Sequence, residues 1–352
     1  MSGQAGPVNG GNSGRVGPGR VTPRGRAVLR ARKAALALAA VTVAAVAAGC
    51  ATAPGPGHGA ATARAAARPA AAARAVHKSQ ASAKTAATCN PVAASLAPLG
   101  PPAVTPGSYM ARIKARGYLI AGVDQSTYHF GYLNPLDGQI EGFDIDMIRA
   151  VAQAIFGRPD KVEFKSISDA ERITAVTSGS VDIVAHTMTI TCDRLKYVDF
   201  SSVYFDAHQR VLIPDNSTAA GGLADLGGQK VCATKGSDSV TTIQDYPTHP
   251  KVVQEPFWTD CLVLLQQDQV AAVSTDDAIL YGLQAQDPFT KVVGPELTDE
   301  PYGLAMSRQH QDFVRFVNAV LAGEESDGAW EKSYQHWVSP VYQKPPTPEY
   351  AG

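Results

Sequence analysis

From about residue 117 onward, short continuous apolar runs alternate with longer stretches of helical periodicity. The runs at 117–124 and 182–186 have strand length and predict buried strands, since short apolar runs bounded by glycine or polar residues suit a sheet covered on both faces. The stretch 161–167, with apolar residues at alternate positions, predicts a further strand. Between them, 144–156 and 169–179 repeat apolar residues at three- and four-residue spacing and predict helices. Asp144 stands where an N-cap is expected, and Gly179 ends the second helix. A second cycle predicts strands at 229–234, 251–256 and 270–276, and helices at 237–246, 258–269 and 277–286. Two long extended stretches, 200–214 and 289–307, separate the cycles, and helical patterns at 311–323 and 328–338 close the pattern. Two βα blocks joined by two extended crossings imply two α/β lobes. The chain leaves the first near Asp206 and returns near Tyr302. Paired crossings of this kind act as hinges that let two lobes close on a ligand.

Charge divides the 352 residues into two parts. None of the 32 acidic residues precedes Asp124, while 15 of the 31 lysines and arginines do, so the remainder carries a net charge of −16. An acidic body argues against a nucleic-acid partner. It also means that an anionic ligand needs a local basic pocket. The leader has a basic stretch (Arg15 to Lys33), then a 15-residue apolar run (Ala34–Ala48) too short to span a bilayer comfortably, then Ala48, Gly49 and Cys50. Small residues before a cysteine resemble the lipobox of a bacterial lipoprotein signal, in which the cysteine is lipidated and becomes the mature N-terminus. Ala47 departs from the leucine usual in that motif, and an ordinary secretory signal is the alternative reading. Residues 51–106 are expected to form an Ala/Pro-rich tether, since its lack of large apolar side chains leaves little to bury.

Four further cysteines in an exported chain suggest two disulfides. Of the three possible pairings we expect Cys232–Cys261, which join a strand and a helix of one region, and Cys89–Cys192, which staple the tether to the turn after the third strand. No CxxC and no histidine pair at ligand spacing suggests a metal, and no cofactor is implied.

The richest stretch is DIVAHTMTITCDRLKYVDFS (182–201). An apolar run breaks into alternating Thr187, Thr189 and Thr191, and Arg194 follows. Hydroxyls and free amides at a strand end donate to anions, and a guanidinium fork matches a carboxylate in bidentate fashion. The segment suits a small acid.

From about Tyr109 to Val338 the chain resembles the extracytoplasmic solute-binding proteins of family 3, which bind polar amino acids for ABC importers. The resemblance rests on GFDIDM (142–147), TMTIT-x-DR-x-x-x-VDFS (187–201), LADLGGQKVCATKGSDS (223–239) and STDDAILYGL (274–283), in that order. It implies the two-lobed periplasmic-binding-protein-like II fold, α/β in class, with the ligand in the cleft. The expected organisation is a lipoprotein signal (1–50), the tether (51–106), lobe 1 (107–205 and 302–340), lobe 2 (206–301) and a tail (341–352). The expected setting is extracytoplasmic: a monomer anchored to the membrane through Cys50, serving an ABC permease and ATPase.

By the same resemblance, Arg194 grips the ligand α-carboxylate, helped by Thr189 and the amides of Thr187 and Thr189. Asp276, rather than Asp277, accepts the α-ammonium, although helix capping is an equally ordinary use of an aspartate there. Gly236, Ser237 and Ser239 begin a helix whose amides and hydroxyls take a carboxylate or side chain. Arg172 is expected to decide specificity, favouring glutamate or aspartate, with asparagine or glutamine next because Asp169 and Glu171 flank it. A solvent-facing Arg172 is the alternative. Tyr128 and Phe130 are candidates to cover the aliphatic part of the ligand, with core packing as the other reading.

Two rival functions share this fold. An enzyme would need a poised acid or base, and His186 and Glu171 are the nearby candidates, but no nucleophile–base constellation is apparent. A ligand sensor signalling to a membrane partner would look the same in sequence.

Overall fold

A computed structural model describes residues 89–338 and 344–351. The signal segment, Cys50 and residues 51–88 of the tether lie outside the described residues. The described residues group as one compact unit. In chain order its elements begin with α1 (Tyr109–Arg116), β1 (Leu119–Val123), β2 (Ser126–Thr127), β3 (Gly131–Leu133) and β4 (Ile140–Glu141). Next come α2 (Phe143–Phe156), β5 (Val162–Ser166), α3 (Arg172–Thr177), β6 (Ile183–Ala185) and β7 (Val198–Phe200). The long β8 (Phe205–Pro214) crosses to a second group: β9 (Lys230–Thr234), α4 (Ser239–Gln244), β10 (Lys251–Glu255), α5 (Trp258–Gln266), β11 (Ala272–Asp276), α6 (Asp277–Gln286) and β12 (Thr290–Val293). The chain returns through β13 (Asp299–Tyr302) to β14 (Ala305–Ser307), α7 (Gln311–Ser326) and α8 (Ala329–Trp337).

Lobe 1 is built on the sheet β5-β1-β6-β14-β7, and lobe 2 on β10-β9-β11-β8-β12. In each lobe the βα strands pair in parallel (β1 with β5 and β6, β9 with β10 and β11), so their C-terminal ends open on one edge. Ligands bind at that edge in open α/β sheets. The two crossings pair with each other: β13 runs antiparallel to β8, with Tyr302 opposite Phe205 and Asp299 opposite His208. This hydrogen-bonded ribbon is the hinge.

The lobe 1 core is aromatic-rich. Phe130, Phe143, Tyr204, Phe205, Tyr302, Trp330 and Tyr334 are all buried in one cluster, and Trp330 Nε1 donates to the Tyr204 carbonyl at 2.8 Å. Phe130 therefore packs in the core, in edge contact with Phe143, Phe205 and Tyr302. Lobe 2 has its own aliphatic core around Val231, Val273, Ile279 and Leu283. The disulfides Cys89–Cys192 and Cys232–Cys261 are both formed.

Several sequence expectations need correction. Asp144 does not cap α2; that place belongs to Gly142, at φ 136°, where a Cβ would sit 2.1 Å from the Phe130 carbonyl oxygen. Asp144 instead lies in the first turn, buried, accepting from the Thr187 amide (2.8 Å) and the Tyr204 hydroxyl (2.5 Å). The helix expected at 169–179 is split into a 3-10 turn (Asp169–Glu171) and α3. The tether does not extend to 106. Residues from Cys89 onward pack on lobe 1: Ser95 is buried and donates to the Phe200 carbonyl, and Asn318 donates to both Ser95 and the Leu96 carbonyl. Part of the tail also packs there, since the Ala351 amide donates to the Ser95 carbonyl at 2.8 Å. Val92, Leu96 and Val104 pack against the lobe 1 cores, and buried polar contacts and a disulfide fix the segment there. The helix α1 and the small β2-β3-β4 sheet had no expectation at all.

Candidate functional site

The facing strand ends of the two lobes enclose a cavity lined from lobe 1 by Asp169, Arg172, Thr187, Thr189 and Arg194. Lobe 2 and the hinge supply Ser237, Asp238, Ser239, Trp258, Thr275, Asp276, Ile279 and Glu300. The lobes are shut on each other, and the space left is about 10 Å³, close to the least that holds one water molecule.

Arg194 begins a 3-10 turn (Arg194–Lys196) just beyond the threonine run and is buried. Its Nη1 donates to the Thr189 carbonyl at 2.7 Å, and Nη2 donates to the Gly236 carbonyl of lobe 2 at 3.3 Å. Nη1 also lies 2.6 Å from Asp238 Oδ2, a charge contact without hydrogen-bond alignment. Burial and the nearby Arg172 charge push the guanidinium below its ordinary pKa, against the opposing pull of Asp238, Asp169 and Glu300.

Arg172 is buried in the site and does not face solvent. Its Nε donates to the Asp169 carbonyl (3.1 Å), Nη1 to the His186 carbonyl (3.0 Å), and Nη2 to the Gly236 carbonyl (3.2 Å). Its Nη1 lies 2.8 Å from Asp169 Oδ1. A guanidinium has five N–H groups; three are donated to carbonyls and the Asp169 carboxylate adds a charge contact at Nη1, so at most two remain for a ligand in this closed form. Burial opposes ionisation of Asp169, but Arg172, His186, the Thr234 hydroxyl and Arg194 outweigh it and hold the carboxyl below its ordinary value. Asp169 is thus a fixed anion beside Arg172. The approach of Glu171 is a local matter: it completes a capping box with Ser168 at the surface.

The threonines divide their roles. Thr187 has a left-handed backbone, φ 41°, and its amide is already taken by Asp144. This corrects the expectation that the amide serves the ligand. Its buried hydroxyl, by contrast, has no partner among the described residues and lines the cavity. The Thr189 hydroxyl donates to Glu300 Oε2 at 2.7 Å.

Asp276 and Asp277 also separate. Asp276 ends β11 and makes no capping bond; it lines the cavity and accepts from the Tyr302 hydroxyl at 2.6 Å. Asp277 accepts from the Ala278 and His208 amides instead. Burial raises the Asp276 carboxyl well above its ordinary range, and the charge of Glu300 adds to it. Glu300 is raised as well, chiefly by burial, against hydrogen bonds from Thr189 and Thr298. Two buried carboxyl groups that disfavour each other's ionisation form a place where a cation is stabilised.

In lobe 2, Gly236 contributes its carbonyl, not its amide, to both arginines. The Ser237 hydroxyl donates to the Thr234 carbonyl at 2.9 Å, and the Ser239 hydroxyl to Thr275 at 3.3 Å. Tyr128 is not among the lining residues. Its ring meets His129 at a tilt and Tyr132 edge-on (centroids 4.3 and 4.8 Å), and its carbonyl packs against Gly282 of α6. The aromatic that lines the cavity is Trp258, buried, with an indole N–H that has no partner among the described residues. Sequence reasoning missed Trp258, Asp238 and Glu300. Glu300 sits in TDEPYGLA, within a stretch expected only to be extended; its pairing with β8 places the carboxylate in the cleft.

A family model described as bacterial extracellular solute-binding proteins, family 3, matches residues 119–340. The chain belongs to that family. Among curated members, the ABC transporter glutamine-binding protein GlnH of Bacillus subtilis is 36% identical over 230 residues, covering 65% of this chain and 84% of the relative. The glutamate-binding protein GluB of Corynebacterium glutamicum is 28% identical, covering 61% and 77%. Among solved structures, an ancestral arginine-binding protein bound to glutamine is 33% identical with a TM-score of 0.60, covering 63% of this chain and 98% of that one. A solute receptor for L-cysteine from Neisseria gonorrhoeae is 28% identical with a TM-score of 0.63, covering 66% and 94%. The family's two-lobed fold and its cleft between facing strand ends are those of this chain.

Proposed function

We propose that the protein captures a free amino acid with an uncharged polar side chain, glutamine foremost, and presents it to an ABC permease and ATPase. The observation that carries the side-chain preference is the buried Asp169–Arg172 pair. The lining holds two arginines against Asp169, Asp238, Asp276 and Glu300. Asp169 already neutralises Arg172, so a second carboxylate there would be an uncompensated buried charge, which is costly. The donors left on an already neutralised Arg172 suit an uncharged amide oxygen. This reverses the order expected from sequence, in which acidic side chains came first. The glutamine-binding names of the 36%-identical relatives, from Bacillus subtilis and Geobacillus stearothermophilus, point the same way.

In this reading the ligand's α-carboxylate takes the Arg194 fork and the unpartnered Thr187 hydroxyl. The α-ammonium takes Asp276 and Glu300, whose ionisation it restores. Trp258 covers the side chain, and its N–H meets the amide. An amino acid is expensive to desolvate unless both charges are paired, and each lobe holds part of the partner set, so the ligand stabilises the closed form through its greater affinity for it. No bond-making chemistry is required. Tethering at the membrane surface through lipidated Cys50 completes the proposal, and metabolic labelling with a fatty-acid probe checks that step.

Calorimetric titration of the purified protein with the twenty amino acids is the test. Glutamine should bind with micromolar or better affinity, about −8 kcal/mol. Glutamate binding tighter than glutamine would overturn the charge argument, and no binding of any amino acid would overturn the function.

A further inference from the structure

Asp238 stands at the N-cap of α4, yet its side chain makes no capping bond. An aspartate at this position ordinarily accepts from the amides of its own helix. Here the carboxylate reaches across the cleft, and Oδ2 lies 2.6 Å from Nη1 of Arg194 in the opposite lobe. Its side chain is 38% exposed, so it reaches in from the rim, whereas Arg194 is only 8% exposed. The contact lies at the mouth of the cavity, whose lining includes Arg194, Asp238 and Asp276. In this closed arrangement the site's guanidinium is already matched by a carboxylate from the protein itself.

We propose that Asp238 is an internal latch: it occupies Arg194 in a ligand-free closed form, and the ligand's carboxylate must displace it. The proposal rests on the reading above that Arg194 takes the ligand carboxylate. The exchange is one carboxylate for another, so the desolvated guanidinium is never left without a counter-charge. The neighbouring interlobe bonds, from Thr234 to Asp169 and from both arginines to the Gly236 carbonyl, hold the lobes in the same approach whichever carboxylate is present. The latched form and the liganded form compete for one partner. Apparent affinity is then lower than intrinsic affinity by the fraction of molecules free of the latch. Asp238 sets how tightly the protein binds and how closed it is when empty, while recognition stays with the residues behind it.

The test uses the whole purified chain with Asp238→Asn and Asp238→Ala. Neither removes a capping bond, so both should fold, as circular dichroism and thermal melts will verify. X-ray scattering of the ligand-free proteins reads closure, and calorimetry with glutamine reads affinity. Both variants should be more open than wild type without ligand and should bind glutamine on the order of tenfold tighter. Unchanged ligand-free scattering would overturn the latch, and so would weaker binding, which would make Asp238 a direct ligand contact. If wild type bound no amino acid, the functional reading would fall while the scattering comparison still decided the latch.

Discussion

A single methyl group at Gly236 should stop the lobes from closing. Gly236 has φ +92°, and a Cβ there would lie 2.7 Å from Ala170 Cα, 2.9 Å from Ala170 N and 3.1 Å from Asp169 C. All three are backbone atoms of the opposite lobe, so no side-chain rotation relieves the contact. The left-handed conformation adds roughly 1–2 kcal/mol of strain to lobe 2 in every state. The clash, however, exists only when the lobes meet. Relieving it moves the Gly236 carbonyl away from Arg172 and Arg194, now at 3.2 and 3.3 Å. Hydrogen bonds to charged groups contribute about 1.5–3 kcal/mol each. At about 1.4 kcal/mol per tenfold, Gly236→Ala should weaken amino-acid binding by at least tenfold and more than hundredfold if both bonds are lost. Calorimetry with glutamine measures this, and a thermal melt separates it from the modest loss of lobe stability. Wild-type affinity in a folded Gly236→Ala protein would refute the claim that closure brings these two backbones together.

Arg194→Ala should weaken binding of every amino acid by about hundredfold or more in the same titration, because the ligand carboxylate would be buried without its counter-charge. Replacing Cys89 and Cys192 by serine should lower unfolding stability by about 4.7 kcal/mol on the loop-entropy account for a closed loop near 100 residues, read from urea midpoints; here the separation is 103. Burial pushes the Glu325 carboxyl up to about 7, from an ordinary value of 4.5. The folded state therefore holds that proton more tightly than the unfolded chain does. The stability this contributes is complete below about pH 4.5 and is lost as pH rises through about 7. Glu325→Gln should flatten that part of the urea-midpoint profile, and an unchanged slope would remove Glu325 as its cause.

Much of the fold was legible because its signals are local. Central parallel strands buried on both faces need continuous apolar runs, an edge strand such as 162–166 shows alternation instead, and the helices between them need a repeating apolar stripe, so 119–123, 162–166, 183–185 and their helices could be read from letters. The short β2-β3-β4 sheet gave little signal, since strands of two or three residues carry no period. The capping of α2 was misread because an aspartate before an apolar stripe looks like a cap; the conformation of Gly142 and the proximity of Phe130 put the cap two residues earlier.

Residue type alone indicated that an arginine after a threonine-rich strand end would meet an acid, and cysteine number in an exported chain indicated two bridges. Charge balance separated leader from body in the same way. Which acid meets Arg194 depended on a contact between residues more than forty positions apart, and whether Arg172 is free depended on how the chain turns Asp169, three residues earlier, toward it. Asp238 comes to Arg194 from the other lobe, Asp169 binds both Arg172 and Thr234, and Glu300 turns inward on the hinge ribbon. A buried charge takes its meaning from its nearest partners in space, because at low effective dielectric those few ångströms outweigh everything the chain neighbours say.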